Sequence, residues 1–388
     1  MAELHEKYAP IMHYSKGELF FPMRVDDMLA YSSLHAKDEE TPLARRGDVT
    51  PDLLAGHGKS PHVFVRSVDQ GPYLGVDVVK EWSAGALEMV YQWAAESTAT
   101  WTEDLARKAY SWFSPKTKSA TQLFWWNKLL ANVIDGAVQS ISSDELPRLT
   151  LPAITRTDAL ERYHAQTKTS PGYTYYYRQI KDGAYLCLQY WFFYSYNDWG
   201  SAFAGFNDHE GDWEGLLLFF RLDSQGRPQE PPAYITFANH ESRLTKPWGH
   251  PDVTLVGTHP VGYSGAGSHA TYPEATTYTL LKAYGLVDYA TGDGPTIDHD
   301  DWVHRIDLDD AGWLTRYRGS WGTRYWLRPA QAKPLLQAAL AATLTSALFR
   351  QNIPSEIELP GVSAPRGPVD DHRPQSSNPV AWAGVPPP

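Results

Sequence analysis

The stretch that decides the fold is an unbroken apolar run in the middle of the chain, where residues 185–194 read YLCLQYWFFY. A strand with one face in water alternates apolar and polar side chains, but this run is apolar on both faces, as in a central strand buried between two layers. Strand-like patterns separated by Gly, Pro and Asp turn signals recur elsewhere, at 62–66, 215–222, 233–238, 261–264 and 302–307. We therefore predict a mainly β fold with a β-sandwich or jelly-roll-like core.

Other parts of the chain do not follow the strand pattern. Between about residues 78 and 145, Ala, Leu, Trp and Glu recur three and four residues apart with almost no Gly or Pro, which predicts an inserted helical subdomain. A C-terminal helix is predicted at about 334–351, and the Pro-rich residues 360–388 are predicted to form an extended tail. Together these patterns predict one β-sandwich-like domain over residues 1–388, with the helices inserted in it.

The composition excludes several classes of protein. With 34 Lys and Arg against 45 Asp and Glu, the net charge is −11, which disfavours nucleic acid as a partner and a polybasic membrane anchor. Cys187 is the only cysteine, which excludes an intrachain disulfide and a thiolate zinc cluster. The chain starts without the apolar core of a secretory signal, and no apolar stretch reaches the ~20 residues that a membrane-spanning helix needs. We therefore expect a cytoplasmic location.

A dense polar cluster stands at the start of one predicted strand, where residues 207–214 read NDHEGDWE ahead of the apolar run LLLFF. Strand alternation puts Asp212 and Glu214 on one face. Two like charges this close repel each other unless a cation, an arginine or a proton intervenes. His209 faces away in an ideal strand, but a positive φ at Gly211 would turn it toward the carboxylates.

This cluster predicts a divalent cation, with ligands from Asp208, His209, Asp212 and Glu214. Oxygen-rich ligands favour Mg²⁺, Ca²⁺ or Mn²⁺ over zinc. An ordinary structural explanation is also open, because Asp and His at a strand start often cap turns, and either Asp212 or Glu214 could pair with Lys or Arg.

Two further histidines, His240 and His269, follow predicted strands. His269 lies in the segment GAGSHATYP at 265–273, and Gly-rich turns at strand ends are places where side chains face ligands. His269 is therefore the second site candidate, although a core histidine bonded to the backbone explains it equally well. Ser268 and His269 do not form a catalytic pair, because neighbours on a strand point to opposite faces.

Aromatic side chains are abundant, with 15 Trp and 23 Tyr in the chain. Aromatic faces beside carboxylates suit sugar rings and cationic groups, although core packing explains most of them in a β-sandwich. The predicted substrate-binding residues are Tyr190, Trp213, His240, Ser268, Tyr272 and Trp321.

Six short motifs occur in order along the chain. They are Ala9-Pro10 with Glu18 and Phe21-Pro22, then residues 188–194, 207–214, 267–273, 319–322 and 364–368. Together they resemble the vacuolar-protein-sorting-sixty-two-related family. That resemblance implies the fold and the position of the site more than it implies a reaction.

Residues 207–214 also resemble the Gly-His-Arg-His-Asp-Trp-Glu heptad of the necrosis- and ethylene-inducing cytolysins, whose acidic and His residues surround a divalent cation. Gly211 stands where the heptad has its second His. The matching residues are His209, Asp212, Trp213 and Glu214. This resemblance implies a cation at these positions and a membrane target such as a glycosylated sphingolipid.

Three functions are compatible with these residues. The leading hypothesis is a divalent-cation-assisted enzyme, a hydrolase or lyase acting on a sugar- or lipid-related small substrate, with His209, Glu214 and His269 as catalytic residues. The first alternative is a non-catalytic protein that uses the cation to bind a glycan or lipid head group, or acts in trafficking, and contacts a membrane through the helical insertion. The second is a cyclase-like biosynthetic enzyme acting on a hydrophobic metabolite. The sequence does not assign an oligomeric state.

Overall fold

The computed structural model describes residues 3–37, 39, 41–57, 60, 62–68, 153–199, 208–239, 242–281, 286–324, 326–327, 357–358, 364–368 and 373–387. His240, the predicted helical insertion at 78–145 and the predicted C-terminal helix at 334–351 lie outside the described residues.

The strands, in chain order, are β1 (Ile11–His13), β2 (Ser33–Ala36), β3 (Val63–Arg66), β4 (Tyr173–Asp182), β5 (Tyr185–Asn197), β6 (His209–Arg221), β7 (Tyr234–Asn239), β8 (Ser242–Pro247), β9 (Leu255–Val256), β10 (His259–Ser264), β11 (Thr271–Tyr272), β12 (Thr276–Leu281), β13 (Leu286–Ala290), β14 (Thr296–Ile297), β15 (Trp302–Asp307), β16 (Trp326–Leu327) and β17 (Ile357–Glu358). The helices are α1 (Leu4–Lys7), α2 (Val25–Leu29), α3 (Pro51–Gly56), α4 (Ala153–Thr169), α5 (Gly312–Arg316), α6 (Pro374–Ser377) and α7 (Pro379–Ala383).

A six-stranded sheet, the central sheet, has the strand order β15-β4-β5-β6-β7-β8. Strands β4 to β8 follow one another as antiparallel neighbours, and β15 pairs with β4 in parallel. The β5–β6 pairing runs from Tyr185 opposite Arg221 to Asn197 opposite His209. Every residue of β5 is buried, which confirms the central strand predicted from the apolar run.

A smaller sheet covers one face of the central sheet, in the order β11-β10-β1-β14, with β9 also paired to β10. Strand β1 runs parallel to β10, so the N-terminal strand is held by a segment far along the chain. Apolar side chains of both sheets meet between them, including Met12 from β1 and Tyr190, Leu216 and Leu218 from the central sheet. Two packed sheets with a shared apolar core confirm the mainly β, sandwich-like class.

The opposite face of the central sheet is covered by helices and by the antiparallel pair of strands β2 and β3. Apolar side chains of α2, α3, α4 and α5 pack there against Trp191, Phe193 and Trp213. We call this the helical side of the sheet. Among the helices in the described part of the chain, none is both long enough and apolar enough to span a membrane.

The described part of the C-terminal tail differs from the prediction, because it forms helices α6 and α7 instead of an extended chain. Each helix has a Pro at its start, where the fixed φ and missing N–H of Pro are favourable. Trp382 packs against Cys187 and Phe219 of the central sheet. The Gln189 side-chain amide donates to the carbonyl of Gln375 over 2.9 Å. The tail is therefore part of the packed protein over these residues.

Candidate functional site

The polar cluster of residues 209–214 lies within strand β6, which begins at His209, earlier than predicted. Asp212 is opposite Tyr194 in the β5–β6 ladder, and Glu214 is opposite Phe192. Tyr194 and Phe192 belong to the core between the two sheets. Because paired residues of a ladder share a face, Asp212 and Glu214 point toward the smaller sheet. Both carboxylates are buried.

Gly211 has a φ of +58°, and a Cβ at this position would lie 2.1 Å from the carbonyl oxygen of Trp321. Glu210 and Trp213 both contact the helical side of the sheet. Strict alternation would put residues three apart on opposite faces. The alternation of β6 is therefore reversed at Gly211, while the β5–β6 register continues without a slip.

His209 lies beyond this reversal and pairs with Asn197. The Asn197 side-chain amide donates to Asp212 Oδ2 over 3.0 Å. Because paired residues share a face, the register puts His209 on the side of the sheet that carries Asp212, in line with the expected effect of Gly211. The Nδ1 atom of His209 lies 2.9 Å from the carbonyl oxygen of Gly211. Asp208, the preceding residue, is also buried.

Glu210, in the middle of the polar cluster, has a structural role. Its Oε1 accepts hydrogen bonds from the backbone N–H groups of Ser67 and Val68 and from the Ser67 hydroxyl. Its Oε2 accepts from the backbone N–H and the hydroxyl of Thr323. This carboxylate therefore ties β6 to the chain that follows β3 and to the loop that contains Thr323.

His269, in the loop between β10 and β11, bridges two carboxylates. Its Nδ1 lies 3.2 Å from Asp212 Oδ2, and its Nε2 lies 3.5 Å from Glu18 Oε1. The ring stacks on Tyr194 with 3.8 Å between centroids and 3° between planes. His269 is fully buried. It is therefore a core histidine, as one interpretation of the sequence held, but its ring partners are carboxylates rather than backbone groups.

Opposite charges stabilise this bridge. Burial alone would lower the pKa of His269, but Glu18 and Asp212 raise it to about 10. Burial alone would raise the pKa of Glu18, but the charge of His269 and backbone N–H groups lower it below its ordinary value. The backbone N–H donors to the Glu18 carboxylate are those of Leu19, Phe20 and Gly267.

Glu18 and Asn197 are site residues that sequence reasoning did not select. Glu18 follows β1 and reaches Asp212 through His269 only because β1 joins β10 in the smaller sheet. Asn197 ends β5, and its side chain donates to Asp212 and accepts the backbone N–H of Trp199 over 3.1 Å. The β5–β6 register would have indicated Asn197, whereas Glu18 occurs in the first of the six motifs without any role assigned to it.

Tyr272 and Ser268, two predicted substrate-binding residues, belong to the same end of the smaller sheet. The Tyr272 hydroxyl donates to Asp288 Oδ2 over 2.6 Å. Burial, and then the charges of Asp288 and Glu214, raise the pKa of Tyr272 far above its ordinary value. Ser268 is fully buried, and its hydroxyl has no hydrogen-bond partner among the described residues.

Three other predicted substrate-binding residues lie elsewhere. Trp213 and Trp321 pack against each other on the helical side of the central sheet, with 5.9 Å between ring centroids. Tyr190 lies in the core between the sheets and donates its hydroxyl to the His5 carbonyl over 2.9 Å. The structure therefore gathers Asp212, Glu214, His269, Tyr272 and Ser268 on the side of the smaller sheet, whereas Trp213 and Trp321 lie on the opposite face of the central sheet.

Across the described residues, no group of three or more His, Cys, Asp or Glu side chains is arranged to hold a metal ion. The Asp212 carboxylate has hydrogen-bonding partners in Asn197, His269 and the backbone N–H of Trp213. A cation bound by Asp208, His209, Asp212 and Glu214 stays a prediction.

No family model and no curated protein matches the chain, so the resemblance to the vacuolar-protein-sorting-sixty-two-related family is not supported. The chain is similar to the solved structure of Necrosis and Ethylene inducing Protein 2 from the causal agent of cocoa's Witches Broom disease, with 13% identity over 44% of this chain and 68% of that chain and a TM-score of 0.24. It is similar to the non-toxic HaNLP3 protein, with 11% identity over 53% of this chain and 68% of that chain and a TM-score of 0.25. For NLPPya in complex with glucosamine, the identity is 13% over 38% of this chain and 58% of that chain, with a TM-score of 0.24.

These solved structures belong to the necrosis- and ethylene-inducing proteins. Residues 207–214 of this chain resemble the heptad of that group.

Proposed function

We propose that the chain binds a hydroxyl-rich ligand, a glycan or the sugar part of a lipid head group, at the site that Asp212, Glu214 and His209 form. One observation carries this proposal. Both ring nitrogens of His269 face carboxylates, with Asp212 Oδ2 at 3.2 Å and Glu18 Oε1 at 3.5 Å. A general acid or base must reach the substrate with a ring nitrogen. Because His269 is fully buried and each ring nitrogen is directed at a carboxylate, the geometry favours binding over acid–base catalysis by this residue.

The side chains around the bridge suit sugar hydroxyls. Ionised carboxylates only accept hydrogen bonds, so Asp212 and Glu214, side by side on one face of β6, suit a ligand that offers several hydroxyl donors. The rings of Tyr272 and Tyr278 stack with 3.9 Å between centroids. Tyr278 is only half-buried, and an aromatic surface of this kind packs well against the apolar face of a sugar ring.

Ligand binding at this site is proposed with or without a divalent cation, and the two cases are tested separately. The ligand set predicted from the sequence, Asp208, His209, Asp212 and Glu214, would suit Mg²⁺, Ca²⁺ or Mn²⁺. Such an ion would supply a positive centre for sugar hydroxyls. Binding measured in EDTA and again with each ion added separates a cation-dependent site from a cation-independent one.

The test is a titration of the purified chain with glucosamine, followed by a glycan array, with product analysis of each bound sugar. We expect saturable binding without chemical change of the sugar. Asp212→Asn should weaken binding by about 10–100-fold, the usual effect of losing a charged hydrogen-bond acceptor. The control Asp300→Asn, at a side chain that is 88% exposed, should bind as the wild type does.

Two results would contradict this proposal. Conversion of the sugar to a product by the wild type, but not by Asp212→Asn, would replace it with the cation-assisted enzyme. Absence of binding to glucosamine and to every glycan on the array, with and without added ions, would refute it.

A further inference from the structure

His269 combines a strained backbone with a fully buried polar ring. Its φ is 58°, in the left-handed region that residues with a Cβ rarely adopt. Among the described residues, every other positive φ belongs to a glycine. Strain of this kind persists where the surrounding structure enforces it, and it concentrates at sites where the conformation is used. The strained backbone therefore marks His269 as a residue whose ring position is used by the protein.

The ring fills a slot between two carboxylates from distant parts of the chain. Glu18 follows β1, whereas Asp212 lies on β6, and the face of Tyr194 closes one side of the slot. Glu18 is itself anchored by the backbone N–H of Gly267, over 2.9 Å. The His269 ring is therefore one of three contacts that hold the Asp212 side chain, beside the Asn197 amide and the Trp213 backbone N–H, and it is the contact that links Asp212 to the anchored Glu18.

We propose that His269 is a positioning residue whose ring sets the orientation of Asp212 for the ligand, and that the slot it fills binds free imidazole once the side chain is removed. The first part rests on the proposed binding function. The second part concerns only the slot, and it can be tested without any sugar.

His269→Gly is the variant that isolates the ring. Glycine adopts a φ of 58° without strain, so this substitution empties the slot and leaves the backbone conformation favourable. Free imidazole offers one nitrogen to each carboxylate. In 1-methylimidazole a methyl group blocks one nitrogen, so that molecule can contact only one of Asp212 and Glu18. The two compounds therefore distinguish a bridge from a simple filler.

The first measurement is thermal unfolding of the full chain at increasing concentrations of each compound, with EDTA present to remove metal ions. A molecule that binds the native state raises its stability in a saturable way. We expect imidazole to raise the Tm of His269→Gly, to leave the wild type unchanged, and to act more strongly than 1-methylimidazole. An equal rise in Tm for the variant and the wild type, or an equal rise with the two compounds, would show that imidazole does not bind in the slot.

The second measurement is glucosamine binding by the same proteins. We expect His269→Gly to bind about 10–100-fold more weakly, the usual effect of losing a residue that orients a ligand-binding side chain. Imidazole should restore most of the affinity, and 1-methylimidazole should not. A residue that only stabilises the fold would not distinguish the two compounds at matched stability.

The outcomes separate the two proposals. If the wild type binds no glucosamine and no glycan but imidazole stabilises His269→Gly, the proposed function fails and the slot stands. If the wild type binds and imidazole neither stabilises nor restores binding in the variant, the proposed function stands and the positioning role fails.

A folding defect in His269→Gly is also informative. Recovery of folded variant only from buffers that contain imidazole supports the bridge. If the variant is insoluble in every buffer, His269→Asn takes its place, because Asn tolerates the left-handed conformation and its shorter side chain leaves part of the slot open. That variant must show the same preference for imidazole over 1-methylimidazole, and lack of it overturns the inference.

Discussion

Gly211 and Gly183 both have a φ of +58°, but their surroundings differ. A Cβ at Gly183 would meet nothing within 4 Å, whereas at Gly211 it would lie 2.1 Å from the carbonyl oxygen of Trp321. Gly183→Ala should cost about 1–2 kcal/mol for the left-handed conformation alone. Gly211→Ala should cost more than about 4 kcal/mol, because a backbone atom has to move as well. Urea unfolding of both variants measures the difference, and equal losses would contradict the close approach at Gly211.

Glu210 offers a second test at the scale of one residue. Its buried carboxylate accepts hydrogen bonds from Ser67, Val68 and Thr323. Glu210→Gln turns one acceptor into an NH₂ group that faces N–H and O–H donors, so we expect a loss of about 3 kcal/mol or more in the free energy of unfolding.

The matched control is Glu230→Gln. Glu230 pairs with Lys7, and the two side chains are 39% and 42% exposed. Solvent screens such a pair, so its loss should cost less than about 1 kcal/mol. Urea unfolding measures both variants, and similar losses of unfolding free energy would show that Glu210 does not tie β6 to Ser67 and Thr323.

At the scale of elements, helix α7 covers Cys187, the only cysteine of the chain. Burial raises the pKa of Cys187 well above its ordinary value. Trp382 packs in the same apolar cluster, and the Arg243 guanidinium lies 5.8 Å from the centroid of its ring. Trp382→Ala should therefore ease local opening and speed the labelling of Cys187 under native conditions by at least about tenfold.

Thiol labelling followed over time measures this effect. The control Val256→Ala removes a side chain that is 52% exposed, so it should label at the wild-type rate. A Trp382→Ala protein that labels no faster than this control would show that α7 does not protect the thiol.

Elements with a strong hydrophobic period could be predicted from the sequence. Strands β5, β7, β10 and β15 lie within a few residues of the predicted ones. Their apolar patterns could be recognised because the side chains of a strand alternate between the two faces of the sheet, and burial of a face keeps its side chains apolar. The apolar strand pattern marked only residues 215–222 of this strand, because the polar side chains in the first half of β6 are buried by partners from distant segments. The composition of the tail favoured an extended chain, whereas the positions of Pro374 and Pro379 favour helix starts.

At the scale of the whole molecule, the site could be predicted only in part. The shared face of Asp212 and Glu214 and the effect of Gly211 follow from strand geometry and from the freedom of glycine. The bridge from Asp212 through His269 to Glu18 does not follow, because it depends on the parallel pairing of β1 with β10. A long-range pairing of this kind leaves no periodic signal in either segment.

The bridge also predicts how stability changes with pH. Burial opposes the charge of His269, but Glu18 and Asp212 raise its pKa from the ordinary 6.5 to about 10. A group whose pKa is raised on folding contributes stability that is complete below pH 6.5 and is lost as the pH rises through about 10. The lowered pKa of Glu18 has the opposite sign, so its contribution is lost as the pH falls below its folded pKa.

Urea unfolding between pH 6 and 10 checks this prediction. We expect the stability of the wild type to fall across this range more steeply than that of His269→Gln, which lacks the titrating ring. The comparison uses the slopes, because the substitution also changes packing. Parallel profiles would contradict a charged bridge at His269.

The parallel pairing of β1 with β10 sets the order in which the protein can be completed on the ribosome. Ile11 has Val261 as its partner, so at about 5–20 residues per second the first strand waits for roughly 12–50 seconds before its partner is translated. Met12 and Tyr14 are fully buried in the folded protein. During that interval they lack the partner strand that buries them. Chaperones that bind apolar segments of nascent chains can therefore reach β1 during this interval, and the candidate site is assembled only after β10 has been translated.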